Sequence, residues 1–287
     1  MAEIPQQRLL VEQEIEDNLV YQVPRTYLGY SQIGHECTRF VLFTFRWVYH
    51  RSHPQRIQRL FDRGKYEEEV IANELTEIGC KVEDDQKELI GFAGHVKGHI
   101  DGTVINLPDS PKTKHLLENK TAKEKFFKEF LKAYDIFQNH SAISKIHRAY
   151  WWQIHAYMGK MHLRRCLFTV TNKNDEERLY FRIKFDKSVY DLVLRAEIDI
   201  VTAVRLFDRI GNNSPTWFEC KTCAASDQCF GIKPVNKNCR TCEYSSIEDG
   251  GVWACDHKMH KIPSMTAKQQ WDGCKDYKME EMFACLV

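Results

Sequence analysis

The chain has 287 residues, long enough to bury a sizeable core, and its 43% apolar, 28% charged and 12% aromatic composition excludes a disordered or fibrous protein. No window reaches the roughly 18 consecutive apolar residues of a membrane span, so no membrane partner is expected. A formal net charge of +1 leaves any nucleic-acid contact to local clusters of basic residues.

In chain order, residues 1 to 31 read as a lead-in in which Pro24 and the stretch YLGYS interrupt regularity. The first residues, MAEIPQQRLLVEQEIED, hold no basic stretch leading into an apolar run, so a cytoplasmic protein is expected. From Arg39 to Lys65 seven Arg or Lys (39, 46, 51, 56, 59, 63 and 65) stand against one acid, Asp62. The stretch RIQRLFDRGKYEEEVIANELTEIG has apolar residues at 57, 60, 61, 66, 70, 71, 75 and 78, a helical period closed by Gly79. Glycines and alternating apolar residues over 89–107 predict a β-hairpin, with GHIDGTVINL as one strand. PDSPK is a turn, and HLLENK predicts a short strand running into Thr121.

Beyond that strand, 123–138 reads as a helix and SKIHRAYWWQIHAYMGK, 144–160, as another with an aromatic-rich apolar face. LRRCLFTVTNKNDEERLYFRIKF predicts strand, polar turn, strand, followed by a helix from about 187 to 209 and a boundary at GNNSP. This order predicts an α/β protein with a mixed central sheet flanked by helices. The expected division is a lead-in over 1–56, a core over 57–214 and a cysteine-rich extension over 215–287.

One aspartate, Asp101, interrupts the apolar, glycine-rich run, and a Glu-x-Lys triplet follows at Glu118 and Lys120. On a strand, the period of two puts Glu118 and Lys120 on one face and turns Asn119 away. Phosphodiester hydrolysis needs a hard divalent cation on carboxylate oxygens, an activated water and a positive group facing the developing charge. Asp101 and Glu118 supply the first, Lys120 the last, the Asn119 carbonyl another oxygen, and Glu68 on the preceding helix an extra carboxylate. A second basic run, seven lysines from Lys112 to Lys132 against Glu118, Glu124 and Glu129, lies on the other side of Asp101 from the first. The pair of runs suits a passing phosphate backbone; ordinary solvated faces would look the same. Taken alone, the spacing from Asp101 to the triplet is more often that of ordinary surface polarity.

Four stretches in order carry a resemblance: FDRGKYEEE (Phe61 to Glu69), GHVKGHIDGTV (Gly94 to Val104), HLLENKT (His115 to Thr121) and YWWQIHAYMG (Tyr150 to Gly159). Together they resemble the PD-(D/E)xK nuclease superfamily, in particular its RecB-like branch and the phage-encoded recombination exonucleases. The resemblance implies a restriction-endonuclease-like core, with Asp101 and Glu118 as metal-binding acids and Lys120 as the catalytic lysine. It makes Glu68 the helix residue that relatives often supply as His or Glu. Gln153 and Tyr157 match a Gln-x3-Tyr motif implied to support the site and contact DNA. Asn119 departs from the apolar residue that many relatives carry between Glu and Lys.

Eleven cysteines in a reducing compartment are metal ligands sooner than disulfides. Cys220, Cys223 and Cys229 form C-x2-C-x5-C and need a fourth ligand. The same nuclease branch includes members whose iron-sulfur cluster joins one early cysteine to three late ones. By that resemblance Cys37 is the early member, and a [4Fe-4S] cluster is implied; structural zinc on the same ligands is the direct rival. Cys239, Cys242, Cys255 and Cys274, spaced C-x2-C-x12-C-x18-C, predict a structural zinc site, with His257 and His260 as substitutes for the distal cysteine. Cys80, Cys166 and Cys285 read as inert.

The resulting expectation is a DNA exonuclease using Mg2+ or Mn2+, working in phage recombination or DNA processing beside a single-strand annealing protein, with homo-oligomeric clamping as a route to staying on DNA. An endonuclease of the same superfamily and a non-enzymatic zinc-bearing nucleic-acid-binding protein are the alternatives. Trp151, Trp152, Trp253 and Trp271 read as core sooner than base-stacking residues.

Overall fold

In the computed structural model the described residues are 9–17, 25–49, 55–137, 141–257 and 261–286; Pro24, Arg51 and His260, named above, lie outside them. The first segments form α1 (Leu10–Asp17), β1 (Leu28–Gly29), α2 (Tyr30–Ile33) and α3 (Thr38–Phe45), followed by the long α4 (Gln55–Glu77). Four short strands come next, β2 (Lys81–Glu83), β3 (Glu88–Ile90), β4 (Val96–His99) and β5 (Gly102–Ile105), then β6 (His115–Ala122). Helices α5 (Glu124–Phe137), α6 (Ala142–Ile146) and α7 (Arg148–Lys160) lead to β7 (Arg165–Asn172), β8 (Arg178–Lys184) and α8 (Lys187–Val201). The remainder carries short helices α9 (Phe218–Lys221) and α10 (Ser226–Cys229), a hairpin β9 (Ser245–Glu248) and β10 (Val252–Cys255), and helices α11 (Ala267–Asp272) and α12 (Glu281–Ala284).

The main sheet has the order β2-β5-β6-β7-β8, in which only β6 and β7 run parallel. This is the expected mixed sheet. Its parallel pair, β6 and β7, is almost wholly buried, as strands covered on both faces must be. Alternation along β6 sorts the layers. Leu117 packs with Ile71 and Leu75 of α4 on one side, while Leu116 joins Phe127 and Phe130 of α5 and Ile154 of α7 on the other. Each fully buried phenylalanine in that second layer contributes roughly 2 to 3 kcal/mol.

A second core gathers Leu42 and Phe43 of α3, Ala203 and Ala225, and Met282, Phe283 and Leu286 near the other end of the chain. Trp253 of β10 belongs to the main core, so the cysteine-rich segment shares hydrophobic packing with the sheet-bearing one.

Three elements differ from their sequence-based expectations. The strand expected over 98–107 is broken at Ile100 and Asp101: β4 pairs with β1 and β3 in a three-stranded sheet, whereas β5 enters the main sheet. Gly102, at φ +154°, permits that switch, and a side chain there would meet the Glu83 carbonyl at 3.2 Å. The helix expected over 144–160 is interrupted at His147, whose extended backbone starts α7 and whose ring accepts a hydrogen bond from the Tyr150 N–H at 3.2 Å. The helix expected to reach 209 ends at Val201. Beyond it, the Ala203 and Phe207 carbonyls accept hydrogen bonds from Arg46 and Arg39 of the α3 region, which replace partners a continued helix would have supplied.

Candidate active site

The break after β4 sets Asp101 against the triplet. Asp101 stands one residue beyond the paired Gly102 and Leu117, and its Oδ2 accepts a hydrogen bond from the Asn119 N–H at 2.6 Å. Glu118 and Lys120 share a face of β6 and are in direct contact, Lys120 Nζ donating to Glu118 Oε1. Lys120 also donates to the Asn119 carbonyl at 3.1 Å and lies 5.7 Å from the centre of the Tyr150 ring. Asn119 points to the opposite face, where its Oδ1 accepts from Thr169 of β7 at 2.8 Å. A polar middle residue is therefore compatible with a buried strand because the neighbouring strand supplies a partner.

Burial and crowding set the charges. Glu118 has 0% of its surface exposed. Burial, then repulsion from Asp101, pushes its carboxyl up to about 8 despite the attraction of Lys120. Burial raises Asp101 as well, against the pull of Lys120 and the Asn119 N–H. For Lys120, burial works against the charge, but Glu118 and Asp101 more than offset it and hold the ammonium form. Glu118 Oε2 is buried without a hydrogen-bond partner. An orphaned carboxylate oxygen on an acid that burial and a second acid push upward is the chemistry of a cation-holding donor set.

Glu68 reaches the same field from α4. Burial, then Asp101, lifts it to about 7, and Gln86 Nε2 donates to its Oε2 at 2.9 Å. Gln153 and Tyr157 lie one turn apart on α7 with Gln153 Nε2 donating to the Tyr157 hydroxyl at 3.2 Å. At 5% and 2% exposure they pack behind the acids, whose charges act on Tyr157. Asp85, in the turn between β2 and β3, was not singled out by its sequence context, yet it pushes both Asp101 and Glu68 upward. Only the return of that turn toward α4 reveals it; one acid of the run Glu83, Asp84 and Asp85 gives no signal.

The cysteines converge in two places. Cys37, the N-cap of α3, lines one small cavity with Cys220, Cys223 and Cys229, between Phe40, Phe43 and Phe230. Burial raises Cys37, Cys220 and Cys223, and the neighbouring thiols, Cys229 among them, raise each of the three further. Burial, followed by Cys242, Cys274 and Cys255, pushes Cys239 up to about 12. Cys242 likewise responds to Cys274 and Cys255. Four converging thiols are soft donors suited to iron-sulfur or zinc. Among the described residues, however, no three His, Cys, Asp or Glu side chains stand at the spacing of a finished metal-ligand set, in either cysteine group or around Asp101.

Several expected site neighbours do other work. Arg39 and Arg46 of the first basic run are buried and bound to backbone carbonyls, and Arg63 pairs with Glu176. Arg39 and Arg46 are committed inside the protein instead of forming a phosphate track, and Arg63 is tied to an acid at the surface. In the second run Lys114 is held by Glu83 and Asp84, and Lys128 pairs with Glu124, while Lys112, Lys123, Lys125 and Lys132 are exposed. His99 faces Glu88 at 3.8 Å, and buried His95 meets the Glu248 carbonyl at 2.8 Å. Trp253 is core, as expected.

No family model and no curated protein matches the chain. Among solved structures, it is similar to SSO0001, with 14% identity over 77% of this chain and 96% of that one at a TM-score of 0.41. It is also similar to LHK-Exo in complex with dAMP, with 14% identity over 66% of this chain and 90% of that one at a TM-score of 0.41. A further match is the alkaline exonuclease LHK-Exo from Laribacter hongkongensis, with 15% identity over 63% of this chain and 88% of that one at a TM-score of 0.40. At such identities and scores, the chemistry has to be read from the side chains themselves. No helix among the described residues is long and apolar enough to cross a membrane.

Proposed function

We propose that this chain is a divalent-metal-dependent deoxyribonuclease that hydrolyses phosphodiester bonds at DNA ends. The observation that carries this reading is the convergence of Asp101, Glu118 and Lys120 around a buried carboxylate oxygen with no protein partner. Asp101, Glu118 and the Asn119 carbonyl, with Glu68, would hold Mg2+ or Mn2+, which supplies charge to polarise the phosphate and to ease deprotonation of a water. Lys120, kept cationic by the two acids, stabilises negative charge developing on the phosphoryl oxygens. The Tyr150 ring limits where its ammonium group can go. Gln153 and Tyr157, hydrogen-bonded to each other along α7 and buried, would support the site from behind the carboxylates.

Action at ends is favoured over internal cutting by the sequence resemblance to recombination exonucleases, which also implies a single-strand annealing protein as the consumer of the product strand. Asp101→Ala and Lys120→Ala should each lower Mg2+-dependent digestion of linear DNA by at least about a hundredfold while leaving the fold intact. Full activity in both purified variants would sink the assignment. Covalently closed circles should persist while linear DNA disappears; nicked circles would mean an endonuclease. No digestion with any divalent ion would mean a binding protein.

The cysteine groups are read as structural. Cys37, Cys220, Cys223 and Cys229 suit a [4Fe-4S] cluster or zinc, and Cys239, Cys242, Cys255 and Cys274 suit zinc. Elemental analysis after anaerobic purification should find iron or zinc bound at the first group and zinc at the second. A paired Cys37→Ser, Cys220→Ser variant should lose the first complement alone, and unchanged metal content would remove the assignment.

A further inference from the structure

A cavity of about 470 Å³ opens between the first cysteine group and the start of α7. Its lining includes Cys37, Cys220 and Cys223, the start of α7 at His147 and Arg148, and Phe218, which has 79% of its surface exposed. An exposed phenylalanine beside a cavity needs a reason, since its burial is worth about 2 kcal/mol or more. The cavity is joined to the catalytic residues through rings. His147 is stacked on Tyr150 with centroids 3.7 Å apart and planes at 17°, and Tyr150 faces Lys120.

The lining selects against a phosphate. Its cation, Arg148, already donates to the Gly34 carbonyl at 3.0 Å and to the His35 carbonyl at 2.5 Å, and pairs with Glu36 at 3.3 Å. Glu36 and Glu219 add negative charge to the walls. Apart from His35, His147, Thr222 and the three cysteines, the rest of the lining is apolar and aromatic, with Phe40, Ile146 and Ile210 beside Phe218. Such a surface accepts a flat, neutral group, and a volume within the usual range for small-ligand pockets is ample for one base.

We propose that this cavity receives an unpaired nucleobase of the DNA strand being cut, with Phe218 as its stacking face, so that the strand is held beside Lys120 by a base and not only by its phosphates. The proposal rests on the nuclease reading above. The two are separated by using a short single-stranded oligonucleotide, with Ca2+ in place of Mg2+, and a series in which one abasic site is walked in from the end. Fluorescence anisotropy should show wild-type protein losing about tenfold in affinity when the abasic site falls at one particular position, the size expected for one base–aromatic stack.

Phe218→Ala, which removes the face, and Thr222→Trp, which fills the cavity from an exposed lining position, should bind the intact strand as weakly as wild-type protein binds that abasic one. Both should lose the positional effect, with unchanged thermal unfolding as the control for folding. Wild-type protein indifferent to the abasic site at every position, or variants that keep the full positional effect, would overturn the pocket; if such protein still digests linear DNA with Mg2+, the nuclease reading stands. Protein that neither binds nor digests DNA would overturn both.

Discussion

Three consecutive glutamates, Glu67, Glu68 and Glu69, occupy three different environments. Glu67 is buried, accepts from Thr171 at 2.9 Å and pairs with Arg178, which also pairs with Glu74 and donates to Thr171. Glu68 turns toward Asp101, and Glu69 is exposed. Glu67→Ala should cost about 3 kcal/mol, the low end for breaking a buried pair because Arg178 keeps Glu74. Glu68→Ala should depress digestion with little change in stability, and Glu69→Ala should shift stability by no more than about 0.5 kcal/mol. Urea unfolding together with the Mg2+-dependent digestion assay distinguishes the three; a Glu67→Ala variant as stable as wild type would contradict the pairing. Sequence spacing could single out Glu68 only through its resemblance to a family motif. What separates it from its neighbours is which way each side chain leaves α4, about 100° apart around the helix axis. Asn119 shows the same dependence: its partner Thr169 is fifty positions away and no local pattern announces it.

At the scale of elements, the site depends on how closely α7 approaches β4. A Cβ built on Gly98 would lie 2.4 Å from the Tyr157 hydroxyl, so the small residue is what lets the helix sit against the strand. Gly98→Ala should destabilise the protein by about 1 to 3 kcal/mol, the usual cost of overpacking, and lower digestion by displacing Tyr157. Tyr157→Phe in the same chain should recover part of the stability, since it removes the atom of closest approach. Thermal unfolding of the single and double variants tests this, and strictly additive losses would mean the contact is not the cause. The helix α4 was readable because it buries one regular face, and β6 and β7 because each is a short, largely buried run bounded by polar turns. The break at Asp101 and the stop at His147 were not, because each is imposed by a partner distant in sequence: the separate sheet of β1, β3 and β4 in one case, and the packing that starts α7 in the other.

At the scale of the whole molecule, Arg240 ties the cysteine-rich segment to the rest. It is 0% exposed, lies 3.8 Å from the Trp47 ring centre, and donates to the Phe45 and Thr26 carbonyls and to Gln270. Arg46 in turn donates to the Arg240 carbonyl. Arg240→Met keeps much of the volume but strands those acceptors, and should cost at least about 3 kcal/mol while exposing the cysteine-rich segment to protease. Limited proteolysis read against urea unfolding measures both, and a variant with wild-type resistance would show the tie to be dispensable.

The sequence by itself determined the mixed α/β character, the grouping of late cysteines and the shared face of Glu118 and Lys120, because composition, ligand spacing and strand parity are local properties. Only the tertiary structure decided that Asp101 accepts from Asn119, that Cys37 meets Cys220, Cys223 and Cys229, that Asp85 stands near the acids, and that Arg39 and Arg46 are buried. Each of these is set by strand register or by helix docking between segments far apart in the chain. A basic residue on a surface and one bonded to a distant carbonyl have the same sequence; burial and the available partner determine which it becomes.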